Sequence, residues 1–217
     1  MKVFVAGATG KTGKKIVAEL VKKNISVCAL VRDKAKAQEL LPLEVELVVG
    51  DVLKPETYAS AVKTCDTVIC ATGATPELNP TVFYQVDYEG SKKLINVAKD
   101  AQIKRFIFVT SLCVSRFFHP LNLFGLVLFW KKQAEKYLIS SGLDYTIIRP
   151  GGLKNEENNY PVVVKGADTL FEGSIPRQKV AEVCVESLFY PETNNRILEI
   201  VAQAEAKSMD WQELFSS

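Results

Sequence analysis

The sequence is poor in the residues that most often hold metal ions. It contains a single histidine, His119, and its five cysteines include no pair at the two-residue spacing typical of zinc sites. We therefore predict that the protein has no metal site. Three cysteines, Cys28, Cys70 and Cys184, lie inside apolar runs, and the total count is odd. Buried free thiols in a reducing compartment are the interpretation that fits this pattern.

The sequence also lacks a large excess of charge and a long apolar segment. Its 27 basic and 25 acidic residues give a net charge of +2, too balanced for a protein dedicated to nucleic acids. The most apolar stretch, 121–130, is interrupted by Asn122 and is too short to cross a bilayer. Met1 and Lys2 lead into a short apolar run without the features of a signal peptide. We expect no transmembrane segment, and a location in the cytoplasm, or in the chloroplast stroma if a transit peptide has been removed.

Short runs rich in valine and isoleucine alternate with helical patterns along the chain. The predicted strands are 2–6, 26–31, 45–49, 67–71, 105–110, 145–148 and 196–201. The predicted helices are 11–23, 34–41, 56–63, 86–100, 126–140 and 178–189. Strands that are apolar nearly throughout are typical of a parallel sheet covered by helices on both faces. The pattern predicts an α/β protein, doubly wound around a mostly parallel sheet of about seven strands, with one domain, 1–217.

A glycine-rich loop follows the first predicted strand and opens the first helix. It consists of Gly7, Ala8, Thr9, Gly10, Lys11, Thr12 and Gly13. Glycine permits a tight turn and lets the backbone approach a pyrophosphate closely, while the helix start presents free N–H groups to the phosphates. A plain strand-to-helix turn is the alternative, but three glycines in seven residues favour phosphate binding.

With this loop in place, the sequence resembles the short-chain dehydrogenase/reductase superfamily in its extended and atypical branch. The stretches that carry the resemblance are VFVAGATGKTG, LVRD, VDYEGSKKLINVAK, FIFVTS, WKKQAEKYL and TIIRPGG. It extends over nearly the whole chain and includes small single-domain members of plants and cyanobacteria, biliverdin-IXβ/flavin reductase and the NADP-binding domain of a chloroplast translocon subunit. The resemblance implies a Rossmann fold with a bound nicotinamide dinucleotide.

The end of the second strand indicates which nicotinamide cofactor is preferred. Members that prefer NAD carry an acid there to bond both ribose hydroxyls, but this chain has Val31, followed by Arg32. A guanidinium pairs with the 2′-phosphate of NADP, so we predict NADP(H), with Lys11 adding positive charge to the same pocket. Asp33 is expected to face solvent or to cap the following helix.

The resemblance assigns further cofactor contacts to the loops after the third, fourth and sixth strands. These residues are Asp51, Val52, Ala71, Thr72, Gly73, Pro150, Gly151 and Gly152. It implies that Asp51 bonds the adenine amino group, that the second loop passes over the ribose and that the third lies beside the nicotinamide. A turn or helix cap is the alternative role for Asp51.

The catalytic set of the family is only partly present. Ordinary members reduce carbonyls with a serine, a tyrosine that donates the proton, and a lysine that also holds the nicotinamide ribose. The resemblance places the serine at Ser111 and the lysine at Lys131, but the tyrosine position is Val127, which cannot transfer a proton. A helix cap is the alternative role for Ser111, and a surface position beside Lys132 is the alternative for Lys131.

One literal Tyr-x-x-x-Lys pattern, Tyr88 to Lys92, precedes the fifth strand, and we reject it as the catalytic pair. The aromatic segment 116–125 is expected to form a wall or lid of the substrate pocket, within substrate-side elements at 112–130 and 151–176. A hydrophobic plug, or a contact with a partner or membrane, is the alternative.

Two functions from different classes fit these features. The first is an NADPH-dependent oxidoreductase that transfers hydride to a flat conjugated acceptor such as a flavin, quinone or tetrapyrrole. Such acceptors delocalise charge and can collect a proton from water. The second is a non-catalytic NADP(H)-binding redox sensor or scaffold. In either case we expect a monomer or homodimer that binds no nucleic acid, and an amphipathic C-terminal segment, 207–215, packed against the fold.

Overall fold

The computed structural model describes residues 1–74, 81–123 and 125–216. Its ten strands are β1 Lys2–Ala6, β2 Ser26–Val31, β3 Glu46–Val49, β4 Thr67–Cys70, β5 Arg105–Val109, β6 Tyr145–Pro150, β7 Gly152–Lys154, β8 Val162–Lys165, β9 Ser174–Pro176 and β10 Arg196–Ala202. Eight form one sheet in the order β3-β2-β1-β4-β5-β6-β10-β8, which is parallel except for the pair β10–β8. Strands β7 and β9 pair in a separate two-stranded parallel sheet.

Helices cover both faces of the large sheet. They are α1 Gly13–Lys22, α2 Lys34–Leu40, α3 Ala59–Val62, α4 Thr81–Phe83, α5 Ser91–Asp100, α6 Val127–Ile139, α7 Arg177–Glu186 and α8 Trp211–Ser216. A π-helical segment, Tyr84–Gly90, joins α4 to α5. Short 3₁₀ turns lie at Pro55–Thr57, Pro120–Leu123, Ser187–Phe189 and Pro191–Thr193.

The inner strands of the large sheet are apolar because both of their faces are buried. In β1, Val3 and Val5 belong to the core beneath α1 and α7, whereas Phe4 and Ala6 belong to the core beneath α5 and α6. Alternate residues of a strand point to opposite faces, so an inner strand must supply apolar residues to two cores. This requirement produces the near-continuous apolar runs of the sequence.

All seven predicted strands are confirmed, and the large sheet of the described residues has one strand more than the expected number of about seven. The eighth strand of the large sheet, β8, and the pair β7 and β9 were not predicted. Each contains three or four residues, and β7 is exposed along its length, so neither length nor apolar pattern distinguishes it from a loop. The helix predicted from 86 begins earlier, at Thr81, because α4 and the π-helical segment precede α5.

Two local predictions, on the cysteines and on the C-terminal segment, are also confirmed. All five cysteines are free, and Cys28, Cys70 and Cys184 are buried. At the C-terminal end, Leu214 and Phe215 of α8 are buried against the fold. Within the described part of the chain, no helix is both long and apolar enough to cross a membrane.

Candidate cofactor and active site

The glycine loop is closely packed against the loop that follows β4. Gly7 has φ +80°, and a Cβ atom added to it would lie 2.6 Å from the carbonyl oxygen of Ala71. A Cβ atom on Gly13 would lie 2.0 Å from the carbonyl oxygen of Gly7. Contacts this short leave no room for any other side chain, so both positions require glycine.

The start of α1 offers open hydrogen-bond donors at this loop. The N–H of Gly10 donates to the carbonyl of Gly7 at 3.0 Å, which closes the turn. The N–H groups of Lys11, Thr12 and Gly13 donate to no residue that the structure describes. Unpaired N–H groups at a helix start attract anions, so the loop fits the phosphates of a dinucleotide.

The second strand ends in a cation that has no described partner. Arg32 follows β2 directly, is exposed, and makes no ion pair or hydrogen bond with the described residues. The neighbouring acid is occupied, because an oxygen of Asp33 accepts a hydrogen bond from the N–H of Lys36 at 3.1 Å and caps α2. The predicted cap is therefore confirmed, and Arg32 is free to meet an anion at the same sheet edge as the glycine loop.

The loop after β3 uses Asp51 to fix its own turn. One oxygen of Asp51 accepts a hydrogen bond from the N–H of Leu53 at 2.8 Å, while its own N–H donates to the hydroxyl of Thr57 at 3.2 Å. Val52 is buried and lies against Gly90, where an added Cβ would be 2.8 Å from its Cγ1. Asp51 therefore stabilises the turn, which was the alternative role, and its contact with adenine stays a prediction.

Lys131 of α6 is joined to a buried acid of the π-helical segment. Its ammonium nitrogen lies 2.6 Å from an oxygen of Asp87, and the two side chains are 14% and 1% exposed. The second oxygen of Asp87 accepts a hydrogen bond from the N–H of Ala74 at 3.3 Å. A Cβ atom on Gly73 would lie 3.8 Å from the Lys131 nitrogen. Asp87 therefore connects Lys131 to the loop after β4.

Sequence reasoning did not identify Asp87. It lies four residues after buried Phe83 and four before buried Ser91, so it occupies the buried stripe of its helix. An ionisable residue on such a stripe needs a partner. An aspartate at a buried helix position is therefore the feature of the sequence that could have identified Asp87. A π-helical turn inside a longer helix often accompanies a functional site.

Of two adjacent lysines, only Lys131 is directed at the β4 loop. The Lys132 nitrogen lies 3.7 Å from an oxygen of Glu135 on its own helix. Val127 is the first residue of α6, one turn before Lys131, and packs against the small apolar cluster around Leu112. The residue at the tyrosine position is thus a packing residue.

Ser111 lies just beyond the end of β5, beside the loop that follows β4. The two strands are neighbours in the sheet, so their carboxyl ends lie side by side. The Ser111 side chain is half-buried, and its hydroxyl makes no hydrogen bond with the described residues. It caps none of the described helices, so it is available to a ligand.

The loop after β6 packs through its backbone. The carbonyl of Pro150 accepts a hydrogen bond from the N–H of Leu112 at 3.0 Å. A Cβ atom on Gly151 would lie 2.7 Å from the carbonyl oxygen of Gly173, and the N–H of Gly152 donates to the same oxygen at 2.9 Å. This loop lies at the same carboxyl edge of the sheet as the other predicted contacts.

A buried ionic network supports the elements around the site. Arg149 is fully buried and binds both oxygens of Glu135, at 2.9 and 2.7 Å. The same guanidinium lies 3.1 Å from Glu199 and 2.8 Å from Asp168. Burial alone would lower the pKa of Arg149, but hydrogen bonds and the charges of Glu135, Glu199 and Asp168 outweigh it and raise this pKa. The network fixes α6, and with it Lys131, against β6 and β10.

The rejected Tyr-x-x-x-Lys pair lies in the contact between two helices. The Tyr88 ring is 5.9 Å from the Trp130 ring, measured between centroids. The Lys92 nitrogen lies 5.7 Å from the Tyr88 ring centroid and 5.4 Å from that of Tyr137. Tyr88 and Lys92 therefore have packing roles between the helices. The Lys131 ammonium bonds Asp87, the residue that precedes Tyr88.

The segment before α6 exposes several apolar side chains. Phe117 is 53% exposed and Phe118 is 96% exposed. Asn122 is buried, and its side-chain oxygen accepts hydrogen bonds from two N–H groups at the start of α6. His119 accepts a hydrogen bond from a nearby N–H, so its contact is structural. Position 124 of the predicted segment 116–125 lies outside the described residues.

Comparison with known proteins agrees with this geometry. Residues 7–191 match the model of a family described as NAD(P)H-binding. A chloroplastic protein of Arabidopsis thaliana, itself uncharacterised, is 42% identical over an alignment of 229 residues. The alignment covers all of this chain and 82% of that protein. Protein TIC 62 of Pisum sativum is 36% identical, covering 94% of this chain, and the chain spans only 43% of its length.

Two relatives carry the names of reductases. Sanguinarine reductase of Eschscholzia californica is 30% identical over all of this chain and 95% of its own length. ChuY, an anaerobillin reductase of Escherichia coli O157:H7, has a solved structure that matches with a TM-score of 0.81 and 25% identity. That match covers 96% of this chain and all of ChuY. The chain therefore belongs to the NAD(P)H-binding family and has a Rossmann fold, which is consistent with its resemblance to atypical short-chain dehydrogenases/reductases.

Proposed function

We propose that the protein is an NADPH-dependent oxidoreductase that transfers hydride to a flat conjugated acceptor such as a flavin, quinone or linear tetrapyrrole. The observation that carries this proposal is the Lys131–Asp87 pair, 2.6 Å apart beside Gly73, with Val127 where the family has its proton donor. The site retains a group for holding the cofactor and lacks the group for protonating a carbonyl.

Each part of the site has a role toward NADPH, whose reduced nicotinamide supplies a hydride when it is bound. The open N–H groups of the glycine loop bind the phosphates, and Arg32 binds the 2′-phosphate. The Lys131 ammonium, held in place by Asp87, donates hydrogen bonds to the nicotinamide ribose. The free hydroxyl of Ser111 hydrogen-bonds the acceptor.

The missing tyrosine restricts the acceptor. A simple carbonyl develops negative charge on one oxygen as hydride arrives, so it needs a nearby proton donor. A conjugated acceptor spreads that charge over many atoms and takes its proton later, from water. Two relatives named as reductases, of sanguinarine and of anaerobillin, support a reductase function.

The surroundings of the site follow from the same proposal. The elements at 112–130 and 151–176 form the substrate side of one domain, and exposed Phe117 and Phe118 offer apolar surface to a flat molecule. The partner is a small molecule. Relatives named as chloroplastic support the stroma as a location, with the cytoplasm as the alternative.

A second function, a non-catalytic NADP(H)-binding sensor or scaffold, is favoured by Val127 alone. Steady-state oxidation of NADPH by the purified protein, against flavins, quinones and linear tetrapyrroles, separates the two functions. Parallel reactions use NADH and the Lys131→Met variant. Turnover that prefers NADPH and falls in the variant supports the oxidoreductase. NADPH binding without turnover of any acceptor supports the sensor.

A further inference from the structure

A second cation, far along the chain, reaches the glycine loop. Arg177 is the first residue of α7, and its Nη1 donates a hydrogen bond to the hydroxyl of Thr12 at 3.3 Å. Its Nε donates to the side-chain oxygen of Asn155 at 3.0 Å. The Thr12 hydroxyl caps no N–H of α1, and among the described residues it bonds Arg177 instead. The guanidinium is thus fixed beside the loop from a position 165 residues away.

Both partners of Arg177 are neutral. Within residues 1–74, 81–123 and 125–216, its guanidinium pairs with no carboxylate. Two acids in neighbouring segments are engaged by other side chains, because Glu157 lies 3.2 Å from the Lys15 nitrogen and Glu19 accepts a hydrogen bond from Gln178 at 2.6 Å.

A half-buried cation without a counter-ion is unfavourable. Removal from water penalises a charge unless an opposite charge replaces the lost hydration. Burial lowers the pKa of Arg177 from its usual value, because removal from water disfavours the charged guanidinium. An anion at this place would remove the penalty, and guanidinium groups bind phosphate oxygens with good geometry.

The adjacent donors identify the anion. Thr12, which holds Arg177 through its hydroxyl, also has a backbone N–H that is open to a ligand, as do its neighbours Lys11 and Gly13. We propose that Arg177 is a further cofactor-binding residue, which holds the pyrophosphate of the dinucleotide from the side opposite to the 2′-phosphate site at Arg32. This inference rests on the cofactor of the proposed function.

The test is a set of dissociation constants for three ligands, measured calorimetrically or by competition. NADPH contains the pyrophosphate, adenosine 2′,5′-bisphosphate contains one phosphate in its place, and adenosine 2′-monophosphate contains none. The variants are Arg177→Met, Arg177→Lys and, as a matched control, Lys179→Met. Lys179 lies two residues along the same helix, on its other side, and its variant loses the same charge.

We expect Arg177→Met to weaken NADPH binding roughly tenfold or more, as expected for a charge-assisted hydrogen bond. Arg177→Lys should recover part of the loss, and Lys179→Met should bind NADPH like the wild type. Binding of adenosine 2′-monophosphate should be unchanged in all variants. If the guanidinium holds the phosphate nearest the adenosine, Arg177→Met should also weaken binding of adenosine 2′,5′-bisphosphate. If it holds the other phosphate of NADPH, binding of the bisphosphate should be unchanged. Both outcomes support the inference when NADPH binding is weakened.

Two results would overturn it. One is an Arg177→Met variant that binds NADPH as tightly as the wild type. The other is an equal loss for NADPH and adenosine 2′-monophosphate, which indicates a general structural role. If Arg177→Met does not fold, unchanged NADPH affinity in the folded Arg177→Lys variant, which cannot form the forked contact, contradicts the inference. Failure of the wild type to bind NADPH would instead overturn the proposed function.

Discussion

The ammonium group of Lys131 and the carboxylate of Asp87 lie 2.6 Å apart, although 44 residues separate them in the chain. The pair joins α6 to the π-helical segment, and Asp87 also binds the loop after β4 through the N–H of Ala74. In the proposed function, this arrangement sets the position of the lysine relative to the nicotinamide ribose. Asp87 is then a positioning residue that acts through Lys131.

Asp87→Asn removes the charge of the positioning residue and keeps its shape. We expect the free energy of unfolding to fall by about 1–3 kcal/mol, because the half-buried Lys131 loses its charged acceptor. NADPH binding should weaken and turnover should fall with it, while Glu89→Gln, a matched change two residues along, should have little effect. Chemical denaturation and NADPH titration measure these quantities. Wild-type affinity and turnover in Asp87→Asn would contradict a positioning role.

Val127→Tyr places a phenol one helical turn before Lys131. If the site has the geometry of the family, the new hydroxyl supplies a proton to a carbonyl oxygen, and reduction of simple ketones or aldehydes appears. The rate should exceed that of Val127→Phe, which adds similar bulk without a hydroxyl, by about a hundredfold. Both variants should lose about 1–3 kcal/mol of stability, because Val127 packs against an apolar cluster. Equal ketone reduction by the two variants would show that position 127 does not face the reacting carbonyl.

Arg32→Gln tests the choice between the two nicotinamide cofactors. Loss of a charged contact to the 2′-phosphate should weaken NADPH binding by roughly ten- to a hundredfold and leave NADH binding nearly unchanged. Lys36→Gln removes a charge from the neighbouring helix and should alter neither constant by much. Titration of both cofactors gives the ratio. A parallel loss for NADPH and NADH would mean that Arg32 does not recognise the phosphate.

Glu135→Gln tests the buried ionic network. Glu135 is fully buried and is the bidentate partner of Arg149, so the variant leaves a buried guanidinium without its main counter-charge. We expect the free energy of unfolding to fall by about 3–5 kcal/mol. Glu157→Gln breaks an exposed pair with Lys15 and should cost less than about 1 kcal/mol. Urea denaturation measures both losses in the free energy of unfolding. Similar losses in the two variants would show that the buried pair stabilises the fold no more than the exposed pair.

The sheet and the glycine loop could be predicted because their signals are local. The inner strands of the parallel sheet need apolar residues on both faces, and this makes runs such as 2–6 and 105–110 recognisable. Gly7 and Gly13 lie six residues apart, so the close contact between their backbones is encoded in one short stretch. The cap formed by Asp33 is local in the same way.

The residues that were missed depend on contacts between distant parts of the chain. Asp87 meets Lys131, and Arg177 meets Thr12, only after the helices have packed on the sheet. Arg149 was noted only as part of a loop motif, but its partners lie on three other segments of the chain. A polar residue in an apolar pattern signals that a partner exists, without indicating which one.

Hydride transfer from NADPH without a catalytic tyrosine is the core of the proposed function. The most direct measurement is the rate of NADPH consumption with deuterium at each of the two C4 positions of the nicotinamide in turn, using the acceptor that gives the fastest turnover. We expect one of the two labelled forms to be consumed more slowly than unlabelled NADPH, and the Lys131→Met variant to consume NADPH more slowly than the wild type. The proposed function would be contradicted if NADPH bound in an Arg32-dependent way but none of the acceptors caused it to be oxidised.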